Sequence, residues 1–353
     1  MTITEIAALS GVSIGTVDRV LHHRGRVSPE TAKKIEAVVE KYNYTPNPIA
    51  RQLQRNRAYR FCALVPRRDQ DSGYWGLAIH GIHLEDTEVV SMGVKTEIIE
   101  YDHFDTVAFK KATRKILKDA PDGLILPPIW PEVDRPFTEE LDKKGIPYVF
   151  FDADLSGTRP LCTINQDPFR SGYFAGKLLH LFAGRISGPV AIQWAPLNQN
   201  IRGRRAGFLR YAEEQGFRGL VKDCPEDREG MMLKAGDVEH FLRKQRNLQG
   251  IFVSYADVRE AAEAAQSRRK QGNFYIIGYD MVPDNHRLLR EGLIDAVITQ
   301  RPQGQGRLAL LSLYRHVVLG QAVEPKIEMP IEVYFKENVP EDYTFSSYQM
   351  LTK

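Results

Sequence analysis

The apolar positions within residues 3–9 recur at intervals of three and four, the spacing of one face of an α-helix. A second stripe with the same spacing occupies residues 14–21. Between the stripes, Gly11 can take the positive φ of a tight turn, and Ser13 can cap the helix that follows. Two short helices joined in this way predict a helix-turn-helix, whose second helix can enter the major groove of DNA. An ordinary helical hairpin inside a larger core is the alternative.

Two further helical segments follow. Ser28 can cap a third helix with Pro29 at its first position, and this helix is expected to end near residues 42–44. Beyond it, within the triplet at 46–48, Asn47 can cap a fourth helix of only about two turns, a length that is marginal in isolation. This fourth segment is basic. It is interpreted either as a plain linker or as a helix that orders only on a partner.

From Phe61 onward, short buried-strand runs alternate with helical stretches. Such alternation predicts doubly wound parallel sheets, and the run of strands restarts near residues 162–164. Two series of similar size predict two lobes with a cleft, where ligands bind beyond the carboxyl ends of the strands. Strands are predicted at 61–65, 95–101, 123–127 and 148–151, then at 162–164, 189–193, 219–221, 250–253, 275–277 and 296–298.

Composition is consistent with this division. The 353 residues, 42% hydrophobic and 26% charged, are typical of a globular protein with two or three domains. The net charge is only +3, but residues 1–60 hold ten Lys or Arg against five Asp or Glu. A basic module therefore precedes a near-neutral body, which suits a polyanionic partner for the module alone.

Other function classes find little support. The three cysteines are too far apart for a disulfide framework or a zinc site. Neither a signal-peptide pattern nor an apolar run approaching the ~18 residues of a membrane span is present, so a cytoplasmic protein without membrane contact is expected. Acid pairs such as Asp152 and Asp154, and histidines such as His103, lack catalytic or metal-ligand spacing and are interpreted as solvated faces and loops. No catalysis, metal or cofactor is expected.

Three separated motifs stand in order along almost the whole chain. They are ITEIAALSGVS at 3–13 with the helix up to residue 21, NYTPN at 43–47 with ARQL at 50–53, and RRAGF at 204–208 with IGYD at 277–280, Gln300 and Gly306. Together they resemble the LacI/GalR family of bacterial transcription regulators. The resemblance implies a homodimer with one recognition helix in each half of a near-palindromic operator and with hinge helices in the minor groove. It also implies a small-molecule effector in the interlobe cleft of a periplasmic-binding-protein-like domain.

The expected domains follow from pattern and resemblance together. They are an all-α helix-turn-helix domain at 1–45, a hinge helix and linker at 46–60, and an α/β two-lobed effector-binding and dimerisation domain at 61–353. The first lobe is expected to hold residues 61–162 and 292–322, and the second lobe residues 163–291 and 323–353.

On the DNA side, the resemblance assigns base reading to Ile14, Gly15 and Arg19. Arg19 can donate two hydrogen bonds to a guanine edge, worth roughly 1–3 kcal/mol of discrimination. Leu53 is interpreted as a wedge that opens a base step rather than as core. Gly15 and Asp18 depart from the family, because Gly15 has no side chain and Asp18 repels phosphate unless it pairs with an arginine or accepts from a cytosine amine. The expected DNA-contacting residues are Ser13, Ile14, Gly15, Thr16, Asp18, Arg19, Arg26, Asn47, Ala50 and Leu53.

In the body, the resemblance gathers rings, amides, acids and one arginine into a sugar-type pocket. Rings can stack on the apolar faces of a sugar while carboxylates and amides hold its hydroxyls. Trp130 and Trp194 fit a pocket wall and plain core packing equally well, and Tyr255 is interpreted as the replacement for a polar contact. The expected effector-binding residues are Tyr74, Trp75, Trp130, Asp167, Asn200, Arg204, Tyr255, Asp280 and Gln300.

The sequence thus predicts a dimeric, carbohydrate-responsive transcription regulator of the repressor type. A two-lobed sugar-binding protein or receptor is the first alternative, against which the basic module argues. A sugar-modifying enzyme is the second.

Overall fold

The computed structural model describes residues 2–21, 25, 27–42, 44, 58–84, 89, 93–184, 188–194, 198–223, 235–270 and 272–341. The chain divides into two units, Met1–Arg57 and Ala58–Lys353. The hinge helix expected within residues 46–60 falls largely outside the described residues. Its last three positions are described, and the final two of them belong to the first strand of the second unit.

The first unit is a bundle of three short helices, α1 (Ile3–Ser10), α2 (Ile14–Leu21) and α3 (Pro29–Lys41). Thr2 and Glu5 form a reciprocal capping box at the start of α1, and Gly11 ends that helix at a φ of 66°. Ser28 caps α3 with Pro29 at the first position, as the sequence predicts. The bundle is held by a small core of the side chains Ile6, Ala7, Val17, Val20 and Ile35.

The first sheet of the second unit contains six parallel strands in the order β11-β5-β4-β3-β1-β2. Three of them are buried at every position and β1 at every position but Arg60, as expected for a parallel sheet covered on both faces by helices. The strands are β1 (Tyr59–Pro66), β2 (Val94–Tyr101), β3 (Gly123–Leu126), β4 (Tyr148–Phe151), β5 (Cys162–Asn165) and β11 (Lys326–Glu328). The helices of this lobe are α4 (Tyr74–Leu84), α5 (Thr106–Asp119), α6 (Pro131–Lys144) and α12 (Pro302–Leu313).

The second sheet has the order β12-β10-β9-β8-β6-β7 and is parallel except for β12, which runs antiparallel to β10. Its strands are β6 (Val190–Trp194), β7 (Gly219–Asp223), β8 (Gly250–Val253), β9 (Tyr275–Tyr279), β10 (Ala296–Thr299) and β12 (Glu332–Tyr334). The helices of this lobe are α7 (Pro168–Ala183), α8 (Gln199–Glu214), α9 (Ala235–Lys244), α10 (Arg259–Arg269) and α11 (Pro283–Arg290).

The lobe boundaries expected from sequence are wrong at three strands. β5 pairs with β4 and therefore belongs to the first lobe, although residues 163–291 were expected in the second. β10 pairs with β9 in the second sheet, although residues 292–322 were expected in the first lobe. β11 pairs with β5 in the first sheet rather than joining the second lobe. A hydrophobic run identifies a strand, but the partner of that strand depends on long-range pairing that the run does not encode.

Close packing of α7 against α8 is possible because both helices carry glycine at their contact. A Cβ on Gly172 would lie 1.9 Å from the carbonyl oxygen of Arg204, and one on Gly207 would lie 1.9 Å from that of Phe169. No side chain fits at such distances, so glycine sets the separation of the two helices. The position of Arg204 follows from it.

Two features are absent from the described part of the chain. None of its helices is long and apolar enough to cross a membrane. Within the same residues, no three His, Cys, Asp or Glu side chains converge in a group that could hold a metal ion.

Candidate functional site

The outer face of α2 carries exposed side chains. Val17 and Val20 turn inward to the bundle core, while Ile14 keeps 47% of its surface exposed. Ser13 caps the helix, since its Oγ accepts from the backbone N–H of Thr16 at 3.2 Å. An exposed helix face beside a capped N-terminus is the arrangement that enters a DNA groove in helix-turn-helix proteins.

Arg19 reaches back along its own helix. Its Nε donates to the carbonyl oxygen of Gly15 at 3.0 Å, one turn earlier. Gly15 has open space around it, because a Cβ there would meet only the Ser13 Oγ at 3.9 Å. The guanidinium therefore lies toward the N-terminal end of α2, the end whose side chains meet base edges in this motif.

The structure accounts for part of the expected DNA-contacting set. Ser13, Ile14, Gly15 and Arg19 are exposed on one unit, and Thr16 and Asp18 are half-buried beside them. The remaining expected contacts, Arg26, Asn47, Ala50 and Leu53, lie outside the described residues.

The second candidate site is a buried polar cluster around Asp152, which directly follows β4 at a φ of 67°. Tyr74 donates its hydroxyl to Asp152 Oδ1 at 2.6 Å. Asn200 Nδ2 donates to Asp152 Oδ2 at 3.2 Å and to its carbonyl oxygen at 3.0 Å. Gln300 Nε2 lies 3.2 Å from Asp152 Oδ1 and 3.4 Å from Asp280 Oδ2, so one amide bridges two carboxylates. Asp152 thus joins residues of both lobes.

Asp280 occupies the matching place in the second lobe. It follows β9 at a φ of 60°, a left-handed conformation that is uncommon outside glycine. Asn285 holds this turn, because its Nδ2 lies 2.9 Å from the carbonyl oxygen of Tyr279 and 2.8 Å from that of Asp280. Both acids therefore sit at carboxyl ends of parallel strands, where α/β folds bind ligands.

Arg204, on α8, supplies the positive charge of the cluster. Its guanidinium carbon lies 3.5 Å from the centre of the Tyr279 ring, and Nη1 donates to the carbonyl oxygen of Ser254 at 2.9 Å. The cluster side chains are nearly inaccessible, with at most 7% exposure for Asp152, Asn200, Arg204, Asp280 and Gln300. Among the described residues, Arg204 Nε and Asp280 Oδ1 have no hydrogen-bond partner although both are buried.

Burial dominates the titration of the two acids. It raises the pKa of Asp280 to about 7, against the lowering effect of Arg204 and with a further rise from Asp152. Burial also raises the pKa of Asp152, although the Tyr74 hydroxyl and Arg204 oppose the shift. Two carboxyl groups close together disfavour joint ionisation, which acts in the same direction as burial.

Two residues that were expected to be solvated, His103 and Asp152, are buried in or beside the cluster. Trp75 donates its Nε1 to Asp71 Oδ2 at 2.6 Å, and the Nδ1 of His103 lies 3.3 Å from the same oxygen. His103 is buried, as is Asp152, which sequence reasoning had also interpreted as solvated, while Asp154 is exposed. A signal existed for Asp152, since an acid directly after a buried strand stands at the sheet edge where such sites form.

Other expected effector residues lie elsewhere. Asp167 caps α7 by accepting from the backbone N–H of Arg170 at 3.0 Å, and within the described chain no hydrogen bond joins it to the cluster. The ring of Trp130 packs against Tyr101 and Phe109 in the first lobe, which favours its core interpretation. Tyr255 is half-buried one residue after Ser254 and packs against the second-lobe core. The side chain of Trp194 is outside the described residues.

Two family models match the chain. The model described as bacterial regulatory proteins, lacI family, covers residues 2–47. The model described as a periplasmic binding protein domain covers residues 63–322. The first match contains α1 to α3, and the second contains the Asp152 cluster.

Several characterised proteins are similar in sequence. The catabolite control protein A of Staphylococcus xylosus is 29% identical over 45% of this chain and 44% of its own length. The sucrose operon repressor of Pediococcus pentosaceus is 24% identical over 63% of this chain and 64% of its own length. The transcriptional regulator DegA of Bacillus subtilis is 27% identical over 79% of this chain and 81% of its own length. The chain therefore spans less than two thirds of the length of the first two proteins.

A solved structure extends the likeness to the fold. A crystal structure titled as a putative LacI transcriptional regulator from Bacteroides fragilis superposes with a TM-score of 0.73 at 26% identity. It covers 80% of this chain and 99% of that one.

Proposed function

The chain belongs to the lacI family of bacterial regulatory proteins, and on that premise we propose that it binds operator DNA and releases or tightens its hold when a sugar binds. DNA is contacted by the outer face of α2. The sugar occupies the cluster of Asp152, Arg204 and Asp280. Two copies act together on a near-palindromic operator in the cytoplasm, and no enzymatic step is part of the proposal.

One observation carries the sugar assignment. Two carboxyl groups at strand ends are buried together with the guanidinium of Arg204 from α8. Within the described chain, Arg204 Nε and Asp280 Oδ1 have no hydrogen-bond partner. Unsatisfied buried polar atoms cost free energy, which a ligand that bonds to them recovers. Neighbouring sugar hydroxyls both donate and accept, so they suit a carboxylate beside a guanidinium. The buried rings of Tyr74 and Trp75, 5.0 Å apart, add apolar surface for the sugar faces.

The charge balance of the cluster argues for a ligand without negative charge. Among the charged residues that the structure describes around them, Asp152 and Asp280 face Arg204 as the positive charge, and Asp71 lies nearby. A phosphate or carboxylate group would add a further anion to a site that already holds more acids than cations. The name of the sucrose operon repressor is consistent with a neutral carbohydrate as effector.

The sugar assignment is tested by thermal unfolding of the full chain with a panel of neutral sugars, namely D-ribose, D-arabinose, D-glucose, D-galactose and sucrose. We expect at least one sugar to raise the unfolding temperature of the wild-type protein and to leave that of Arg204→Ala unchanged. Equal shifts in both proteins would show that the sugar binds elsewhere.

The DNA assignment is tested by selecting duplexes from a random library with the full chain. We expect enrichment of sequences with two similar half-sites, and an affinity that falls as salt rises because phosphate contacts release counterions. A complex without sequence preference and without salt dependence would contradict groove reading by α2.

A further inference from the structure

Within the residues that the structure describes, the polypeptide crosses between the two lobes three times. The first crossing, residues 166–167, runs from β5 to α7, the second, 300–301, from β10 to α12, and the third, 329–331, from β11 to β12. Any change in lobe arrangement must rotate the backbone at these three places, since they are the covalent links between the two sheets. A side chain that contacts all three crossings is therefore placed to sense or to control that change.

Gln166 is such a side chain. It lies on the first crossing with 2% of its surface exposed. Its Nε2 donates at 3.1 Å to the carbonyl oxygen of Thr299, the last residue of β10, whose peptide bond leads into the second crossing. The same nitrogen donates to the carbonyl oxygen of Pro330, on the third crossing, at 2.7 Å. The two hydrogens of one amide thus tie all three crossings together.

The oxygen of the Gln166 amide, Oε1, connects the crossings to the sugar cluster through Tyr279. The hydroxyl of Tyr279, a fully buried residue at the end of β9, donates to Gln166 Oε1. The ring of the same tyrosine lies against the Arg204 guanidinium, 3.5 Å from its centre. A continuous path of contacts therefore runs from Arg204 through Tyr279 to Gln166 and the three crossings.

We propose that Gln166 and Tyr279 are positioning residues that transmit occupancy at Arg204 to the interlobe crossings. The proposal rests on the proposed function, because it assumes that a ligand of the cluster contacts Arg204. A ligand that draws on the free Nε of Arg204 fixes the guanidinium on the Tyr279 ring. The tyrosine hydroxyl then fixes the Gln166 amide, and the crossings are held in the arrangement seen here.

Two substitutions separate transmission from binding. Tyr279→Phe keeps the ring beneath Arg204 and removes only the hydroxyl that reaches Gln166. Gln166→Met keeps the length of the side chain and removes both donors. Each lobe keeps the strand pairs of its own sheet in both variants. The ion pair of Arg301, on the second crossing, with Glu332 also remains, with an Nε–Oε2 distance of 2.7 Å. Both variants are therefore expected to fold.

Ser171→Ala is the matched control. Ser171 is buried, and its Oγ lies 3.1 Å from the same Tyr279 hydroxyl. The substitution removes a neighbouring buried oxygen while leaving the Tyr279–Gln166 hydrogen bond in place. Any general effect of losing a polar group beside Tyr279 appears in this variant too.

The first measurement is hydrogen exchange of the full chain without ligand, followed in the peptides that contain residues 299–301 and 328–330. The Met329 N–H, which bonds to the Asn165 carbonyl oxygen at 2.8 Å, reports directly on the third crossing. We expect exchange at these crossings to be about tenfold faster in Tyr279→Phe and Gln166→Met than in the wild type or Ser171→Ala. Wild-type exchange in both variants would overturn the proposal, and this result does not depend on finding a sugar.

The second measurement compares sugar affinity with the sugar-induced change in DNA affinity, using the panel sugar that stabilises the wild type most and a duplex selected by the wild type. We expect sugar affinity to stay within about threefold in both variants, while the ratio of DNA affinities with and without sugar falls at least about fivefold. The proposal would be overturned if both variants kept the wild-type ratio of DNA affinities with and without sugar. It would also be overturned if their sugar affinity fell by as large a factor as this ratio. A wild type that binds no panel sugar would instead refute the proposed function, and hydrogen exchange would still decide the role of Gln166.

Discussion

On α2, the contacts that position the reading side chains span three or four residues, as in Ser13 with Thr16 and Gly15 with Arg19. In the buried cluster, the bonds to Asp152 join it to residues 48, 78 and 148 positions away. The first surface is formed by one short helix and is exposed to solvent. The second exists only when two sheets have folded and their strand ends have met.

The difference explains what each region can do. An exposed helix face presents side chains to a rigid partner and needs little rearrangement to bind it. A cluster assembled from distant segments of two lobes ties its own occupancy to the arrangement of those lobes. The comparison predicts that substitutions in the cluster change sugar response and leave sugar-free DNA affinity intact, whereas substitutions on α2 do the reverse.

The largest effect is expected for Arg204→Ala. The substitution leaves Asp152 and Asp280 buried without their guanidinium and removes the donors offered to the sugar, so sugar affinity should fall at least about a hundredfold. Calorimetric titration with the stabilising panel sugar measures it. Arg205→Ala, one residue along α8, is the control and should bind as the wild type does. Comparable losses in both variants would contradict the assigned site.

Asp152→Asn should weaken sugar binding by about thirtyfold, because one oxygen acceptor at the centre of the cluster is replaced by an NH2 group of the same shape. Asp154→Asn changes an exposed acid two positions later and should have no effect. The pair can be compared in one calorimetric series. If the exposed acid proves as important as the buried one, the cluster is not the binding site.

Arg19→Met should lower the preference for a selected duplex over a scrambled one by about tenfold, since a donor pair to a base edge is lost. Lys34→Met removes the same charge from an exposed position on α3 and should reduce both affinities equally. Fluorescence anisotropy with both duplexes gives the two ratios. An unchanged preference in Arg19→Met would exclude this arginine as a base reader.

Sugar affinity should depend on pH through Asp280, whose pKa is about 7. The ionised carboxylate is the better acceptor for hydroxyls, so affinity should fall about threefold from about pH 7.5 to about pH 6.5. The raised pKa also means that the ligand-free fold binds more protons than the unfolded chain between the two pKa values. Its stability contribution from Asp280 is therefore present at low pH and is lost as pH rises toward about 7. Asp280→Asn should bind more weakly but without this pH dependence; a dependence that persists must come from another group.

The smallest effect is expected for Gly15→Ala. Alanine favours the helix and meets only the Ser13 Oγ at 3.9 Å, so α2 should become more stable by a few tenths of a kcal/mol. Hydrogen exchange of the α2 amides in the full chain should slow by about twofold, while sugar affinity stays the same. Faster exchange would mean that the hydrogen bond from Arg19 to the Gly15 carbonyl oxygen requires a residue without a side chain at position 15.

The local features of the chain were predictable from sequence. The caps at Ser13 and Ser28 and the turn at Gly11 depend only on residues within one helical turn. Most strands of both sheets were also predictable, because β-strands of a doubly wound fold are short uninterrupted apolar runs. The family resemblance placed Arg204, Asp280 and Gln300 in one pocket, and the structure brings these three side chains close together.

Features that depend on pairing between distant segments were not predictable. The edge strands β11 and β12 are three residues each, too short for a periodic signal, and their sheets are set by partners far along the chain. Asp152 is sequentially a loop acid next to Asp154, and only the fold shows that one is buried and the other exposed. Gln166 carries no motif at all, since its role depends on three crossings meeting at one amide.

The central claim is that sugar binding at the Asp152 cluster changes the affinity of α2 for DNA. It is tested most directly by the affinity of the wild type and of Asp152→Asn for a selected duplex, each measured with and without the stabilising sugar at one fixed concentration. We predict equal affinities without sugar, a clear change on adding sugar to the wild type, and little change in the variant. A sugar that binds the wild type yet leaves its DNA affinity unchanged would contradict the account.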